Sequence, residues 1–153
     1  MDLEIVKTKV KQALDGLYNE TNFDFLIKKG LCERCLNHRL AVSLEKQDFV
    51  GYFIDCEYNR SSVGLKAVSN SRGNYIDILI TKRDHDPIND LACFETKKWN
   101  NYQNRKKDRK NLKILTDGTS YNHKIGFYII YGNTRSTTKV EIYKRGQLTT
   151  EVL

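Results

Sequence analysis

YIDILIT, residues 75–81, and LACFETK, residues 91–97, are two apolar runs of strand length, and each carries charge where a sheet interior tolerates little. Asp77 interrupts the first run, and Glu95 and Lys97 close the second. Between them, Arg83 to Asp90 holds the chain's one proline, Pro87, so this segment reads as a turn joining two strands. Alternation along the second strand puts Glu95 and Lys97 on one face and Thr96 on the other.

Outward from this pair the periodicity supplies the remaining elements. YFIDCEY (52–58) precedes as a strand, IGFYIIY (125–131) follows as a fully apolar one, and 139–143 reads as an edge strand. Leu3, Val6, Val10, Ala13 and Leu17 form an apolar seam along a helix over residues 2–19. A second helix is expected over 31–47, with Leu36, Leu40 and Leu44 on one face and Glu33 on that same face. In the first turn an acid is also favoured by the helix dipole. A third, basic helix is expected over 102–115, stopped by Asp117-Gly118. The order helix, three strands, helix, strand describes one α/β domain, a mixed four-stranded central sheet flanked by helices. Within residues 1–153, 1–29 is expected as an N-terminal helical extension, 31–132 as the core, and 133–153 as an edge strand and tail.

At 153 residues the chain is one domain's worth of protein, with 39% hydrophobic residues to build a core. No run approaches the length of a membrane span, and the acidic start does not read as a signal peptide. The expected setting is cytoplasmic. The formal net charge is +7, and residues 97–113 alone hold eight basic side chains against one acid, Asp108. That window therefore accounts for the whole excess, and concentrated basicity points to a polyanionic partner. A solvated helix face is the plainer reading of a charge run by itself.

The charged strand ends suggest chemistry. Unpaired buried carboxylates are costly, so Asp77 and Glu95 should be paired or hold a cation. Two carboxylates on neighbouring strands form a hard oxygen site suited to Mg²⁺, with Mn²⁺ as a substitute. A lysine beside them suits hydrolysis of a phosphodiester, in which the metal polarises the phosphoryl oxygen and the ammonium stabilises developing charge. In isolation, Glu95-Thr96-Lys97 reads first as a salt-bridged pair at a sheet edge.

The arrangement is not isolated. Asp77, an 18-residue separation, Glu95-Thr96-Lys97, a basic helix and a closing apolar strand resemble the PD-(D/E)xK nuclease superfamily over residues 31–132. That resemblance implies a restriction-endonuclease-like core, with Asp77, Glu95 and the main-chain carbonyl of Thr96 as metal ligands. It implies Lys97 as the catalytic lysine and Glu33 as the acid carried on the first core helix. The family's proline before the aspartate is here Ile76. The function implied is a Mg²⁺-dependent endonuclease acting on DNA, RNA not being excluded. The alternative is a non-catalytic nucleic-acid-binding protein that retains the fold.

Lys98, Trp99, Tyr102 and Arg105 interleave cations with aromatics, as nucleic-acid surfaces do, and Lys106, Lys107, Arg109 and Lys110 would contact phosphates. Trp99 reads equally as a packing residue. Glu57 is held in reserve as a further carboxylate, and Asp84-His85-Asp86 reads as a polar turn rather than a metal site. His38 and His123 have no partner close in sequence. The four cysteines read as reduced, mostly buried thiols, since Cys32 and Cys35 have no second Cys-x-x-Cys pair for zinc. The apolar seam of the first helix and the need to cut two strands point to a homodimer.

Overall fold

Asp2 opens the first helix by accepting a hydrogen bond from the Glu4 N–H at 2.7 Å, which satisfies one of the helix's orphan donors. In the computed structural model, which describes residues 1–20, 23–58, 60–61, 64–65, 76–84, 90–119, 121–150 and 153, this helix is α1, Leu3–Tyr18. A short helix α2, Phe23–Lys28, follows where the sequence shows only an apolar stretch. Helix α3 runs Glu33–Glu45, beginning two residues later than the periodicity suggests because Cys32 is extended and serves as the N-cap. Strands β1 (Phe53–Tyr58), β2 (Arg60–Ser61), β3 (Gly64–Leu65), β4 (Ile76–Thr81) and β5 (Ala92–Lys98) come next. Helix α4, Arg105–Leu115, leads to β6 (Ile125–Tyr131), a 3₁₀ turn (Arg135–Thr137), β7 (Lys139–Lys144) and β8 (Gln147–Leu148). Helix α4 starts three residues later than expected, since Asn104 before it is left-handed at φ 60°.

The α/β class stands, but the sheet is larger than the four strands expected. It has six, in the order β1-β4-β5-β6-β7-β8, with β2 and β3 forming a separate small pair. The physical cause lies in Arg145 and Gly146, both at positive φ (49° and 72°), which make the tight turn that folds β8 back on β7. The pairing of β5 with β6 is parallel, and each of the other neighbouring pairs is antiparallel. A parallel pair needs a crossover, and α4 is that crossover, packed on the sheet.

Strand alternation divides the interior between the two faces. Ile78, Ile80, Ala92, Phe94, Phe127 and Ile129 join Leu36, Leu40 and Leu44 of α3 and the α1 seam in one cluster. Leu79, Cys93 and Tyr128 join Leu112 and Leu115 of α4 in the other. Fully burying each leucine contributes about 1.5–3 kcal/mol. Val6, Val10, Ala13 and Leu17 are fully buried within the chain itself, so the seam gives no ground for a partner copy. Helices α1 and α3 approach closely where Gly16 meets Ser43, whose hydroxyl donates to the Ala13 carbonyl at 2.7 Å. No helix among the described residues is long and apolar enough to cross a membrane.

The thiols depart from expectation. Cys93 alone is buried, whereas Cys32, Cys35 and Cys56 are exposed. The first two open α3 from its solvent side, and Cys56 lies on the edge strand β1.

The turn after β6 is built around Gly132. Its carbonyl accepts from the Tyr18 hydroxyl at 2.9 Å, tying α1 to the sheet. A methyl group at this position would meet Thr137 Oγ1 and lie 2.5 Å from the Thr137 carbonyl carbon. Gly132→Ala is therefore expected to lower stability by about 1–3 kcal/mol, read as a lower urea midpoint. An unchanged midpoint would show that the turn can open without cost.

Candidate functional site

Register brings the charged strand ends together. Ile78 pairs with Phe94 across β4 and β5 where that ladder ends, so Asp77 and Glu95 are the next residues on the two strands. Leu79 and Cys93 pack toward α4, and on that side Asn111 of α4 meets Glu95 and Asp108 of α4 meets Lys97. The Asp77 carboxylate reaches its neighbouring strand through Oδ2, which accepts from the Thr96 N–H at 2.7 Å and the Thr96 hydroxyl at 3.0 Å. The same hydroxyl lies 2.6 Å from Asn37 Oδ1, which also accepts from the Tyr131 hydroxyl at 3.1 Å. These bonds fix one oxygen of Asp77 and leave Oδ1 without a hydrogen bond among the described residues.

Two helices complete the site from opposite sides. Glu33, first residue of α3, accepts through Oε1 from the Lys98 N–H at 3.0 Å and from Asn101 Nδ2 at 2.7 Å. Its other oxygen lies 3.7 Å from Lys97 Nζ. Asp108 of α4 stands 3.3 Å from the same ammonium. Asn111, one turn along α4, donates to Glu95 Oε1 at 3.4 Å. Lys97 thus pairs with Glu33 and Asp108 rather than with Glu95. These side chains line an open cleft of about 460 Å³, with Asn37, Arg34, Glu57, Asn104 and Lys107 around it. Glu57 holds a left-handed φ of 51° and pairs with Arg34 at 2.8 Å, placing the reserve carboxylate at the cleft.

The electrostatics are those of crowded acids. Burial pushes Asp77 up to about 6, against the pull of its Thr96 hydrogen bonds and of Lys97. Burial, reinforced by the negative charges of Asp77 and Asp108, holds Glu95 well above the usual carboxylate range. Asp108 is also raised by burial, although Lys97 acts in the other direction. Burial alone would lower Lys97, but Asp108, Glu33 and Asp77 more than offset it and keep the ammonium charged.

A hard cation fits this donor set. Its carboxylates and amides supply oxygen donors, with Asp108 Oδ2 already ion-paired to Lys97 at 3.3 Å. Among the described residues, no three His, Cys, Asp or Glu side chains stand as a ready ligand cluster. Mg²⁺ commonly takes only one or two carboxylates, the rest of its shell being water and substrate.

The basic segment divides in two. Lys106, Lys107 and Lys110 are exposed, as are Trp99 and Tyr102. Arg105 donates to the carbonyls of Asn101, Lys98 and Trp99, closing the turn before α4. Arg109 makes a bidentate pair with Glu141, at 2.8 and 2.6 Å, and lies over the Tyr128 ring. His123 is buried with Nδ1 3.6 Å from Asp90, and His38 is exposed. His85 and Asp86 lie outside the described residues.

Asp108, Asn111, Asn37 and Asn101 were not singled out by sequence reading. The available signal was Asp108 itself, the one acid in the basic window, three residues before Asn111 and so on the same helix face. Compared with protein-family models, curated proteins and solved structures, the chain matches none of them.

The raised proton affinity of Asp77 carries a stability consequence. The native metal-free protein retains a proton that the unfolded chain releases near pH 4, so this group's contribution is lost as pH rises from about 4 toward 6. Asp77→Asn should therefore gain on the wild type by about 2 kcal/mol between pH 4.5 and 7 in urea unfolding with chelator present. A constant gap across that range would mean Asp77 is ionised in the native state throughout.

Proposed function

We propose that the chain is a Mg²⁺-dependent endonuclease hydrolysing phosphodiester bonds in DNA, built on a core of the restriction-endonuclease-like kind. The observation that carries this reading is the meeting of Asp77, Glu95 and Lys97 at one polar cleft with an exposed lysine, Lys107, at its edge. Asp77, Glu95 and the Thr96 carbonyl would hold the ion, Mg²⁺ or Mn²⁺ in its place. When bound, that ion supplies Lewis-acid polarisation of the phosphoryl oxygen and of the attacking water. Thr96 fixes Asp77 from behind, and Asn111 orients Glu95. Glu33 and Asp108 keep the Lys97 ammonium charged and aimed, so that it stabilises negative charge growing on the phosphate. Lys98, Lys106, Lys107 and Lys110 hold the backbone of the DNA, and Trp99 and Tyr102 offer faces for stacking. The substrate we assign is DNA met in the cytoplasm.

A second reading, a nucleic-acid binder that retains the fold without catalysis, draws on Glu95. Burial and neighbouring charge favour its protonated form, and a neutral acid is a poor ligand for a cation.

Cleavage of duplex, single-stranded and branched DNA, and of RNA, with and without Mg²⁺ tests the two. The nuclease reading expects Mg²⁺-dependent products. It expects Glu95→Gln to abolish both cleavage and the rise in melting temperature that Mg²⁺ gives the wild type. Lys97→Ala should keep that rise and lose about 10²–10³-fold in rate. Wild-type cleavage by Lys97→Ala would overturn the role given to the lysine. Binding without cleavage by any substrate would favour the second reading.

For the DNA contact, Lys106, Lys107 and Lys110 changed together to Ala should flatten the salt dependence of binding by about one unit of slope per lost phosphate contact. An unaltered slope places the DNA elsewhere on the surface.

A further inference from the structure

Cys32 and Cys35 take no part in the cleft, yet the first turn of α3 sets them in a specific relation. Cys32 is the N-cap, extended at φ −71°, ψ 157°, and its side chain makes no capping hydrogen bond. Cys35 is three residues on, so both side chains project from the same side of the turn. Their sulfurs are 3.0 Å apart, close enough to share one S–H, and both residues are exposed. The hydrogen bond with Cys35, then the backbone N–H groups of the opening turn, hold the Cys32 thiol below its ordinary range. Cys35 is held above it by its hydrogen bond with Cys32 and by the charge that Cys32 would carry. The other thiols are unlike these. The Cys56 residue is exposed but its sulfur turns toward the Asn37 carbonyl, and desolvation there with the charges of Asp55 and Glu57 pushes it up to about 11, while Cys93 is fully buried. A helix N-terminus and a Cys-x-x-Cys spacing are two recurrent sources of thiolate character, and here they coincide.

We propose that Cys32 and Cys35 are a reversible dithiol–disulfide pair, with Cys32 as the attacking thiol and a small disulfide of the glutathione type as oxidant. The Cys32 thiolate attacks one sulfur of the oxidant, forming a mixed disulfide and releasing the first thiol. Cys35 then gives up its proton and attacks Cys32 Sγ, closing the Cys32–Cys35 bond and releasing the second thiol. The chain loses two electrons and two protons, and the oxidant is reduced to two thiols. The closed ring contains Glu33 and Arg34, both at the cleft, so this exchange occurs at its rim. The proposal does not depend on the nuclease reading.

The test uses the whole reduced chain, equilibrated with mixtures of oxidised and reduced glutathione, quenched in acid, and read by intact mass and tryptic mapping. The wild type is expected to lose two hydrogens, about 2 Da. Trypsin cuts after Arg34, so the peptides 30–34 and 35–39 should appear joined and separate on reduction. Cys35→Ser should accumulate the glutathione adduct on Cys32, about tenfold faster than Cys32→Ser accumulates it on Cys35. A wild type that keeps all four thiols in fully oxidising glutathione would overturn the proposal. So would adducts that form on Cys56 before Cys32. Equal rates in the two variants would overturn the order of attack.

Discussion

The ammonium of Lys97 is the cation on which the charged end of the sheet depends. Asp77, Glu95 and Asp108 are drawn out of water by the packing of α4 on β5 and β6, and like charges so placed raise one another's proton affinity. Among the described residues, Lys97 is the cation in ion-pair contact with the buried Asp108, and it also meets Glu33 from the opposite side. Breaking a buried pair of this kind by removing one partner is strongly destabilising, because it leaves an uncompensated charge. The lysine is thus held from two sides, by a helix on each face of the sheet. Neutral donors complete the arrangement: Thr96 at Asp77, Asn111 at Glu95, Asn101 at Glu33.

The sheet makes this possible by having two ends of different character. At one end, β4 and β5 are apolar on both faces, as strands covered by helices must be. At the other, the ladder between them stops at Ile78 and Phe94, and the Asp77 side chain takes the Thr96 N–H in place of a backbone carbonyl. A side-chain acceptor there satisfies the donor while leaving the second carboxylate oxygen aimed elsewhere. The geometry joins structure and chemistry in one residue.

What the sequence made legible follows from the range of each signal. The strands of residues 76–81, 92–98 and 125–131 announce themselves by apolar runs, and their alternation correctly separates Thr96 from Glu95 and Lys97. Glu33 was visible as a carboxylate on an apolar helix face, and the structure gives it the partners that explain this position. The two-residue strand β8 was invisible, because its cue is a turn conformation at Arg145 and Gly146 rather than any periodicity. Asp108 and Asn111 stayed hidden for another reason. Their roles arise from the crossover that brings α4 over β5, and a helix read alone shows only its basic face. The seam of α1 was visible as something to be buried, but not as something the chain buries by itself.

The parallel pairing of β5 with β6 also sets an order of events. Hairpin contacts such as β7 with β8 close between near neighbours, whereas the pairing of Glu95 with Tyr128 must wait for the intervening helix to dock. The acids of the cleft come from α3, β1, β4, β5 and α4, spanning Glu33 to Asp108. Asp77 and Glu95 already meet where β4 and β5 pair, whereas Asp108 and Asn111 join them only through the crossover, so the cleft is complete only when α4 has docked.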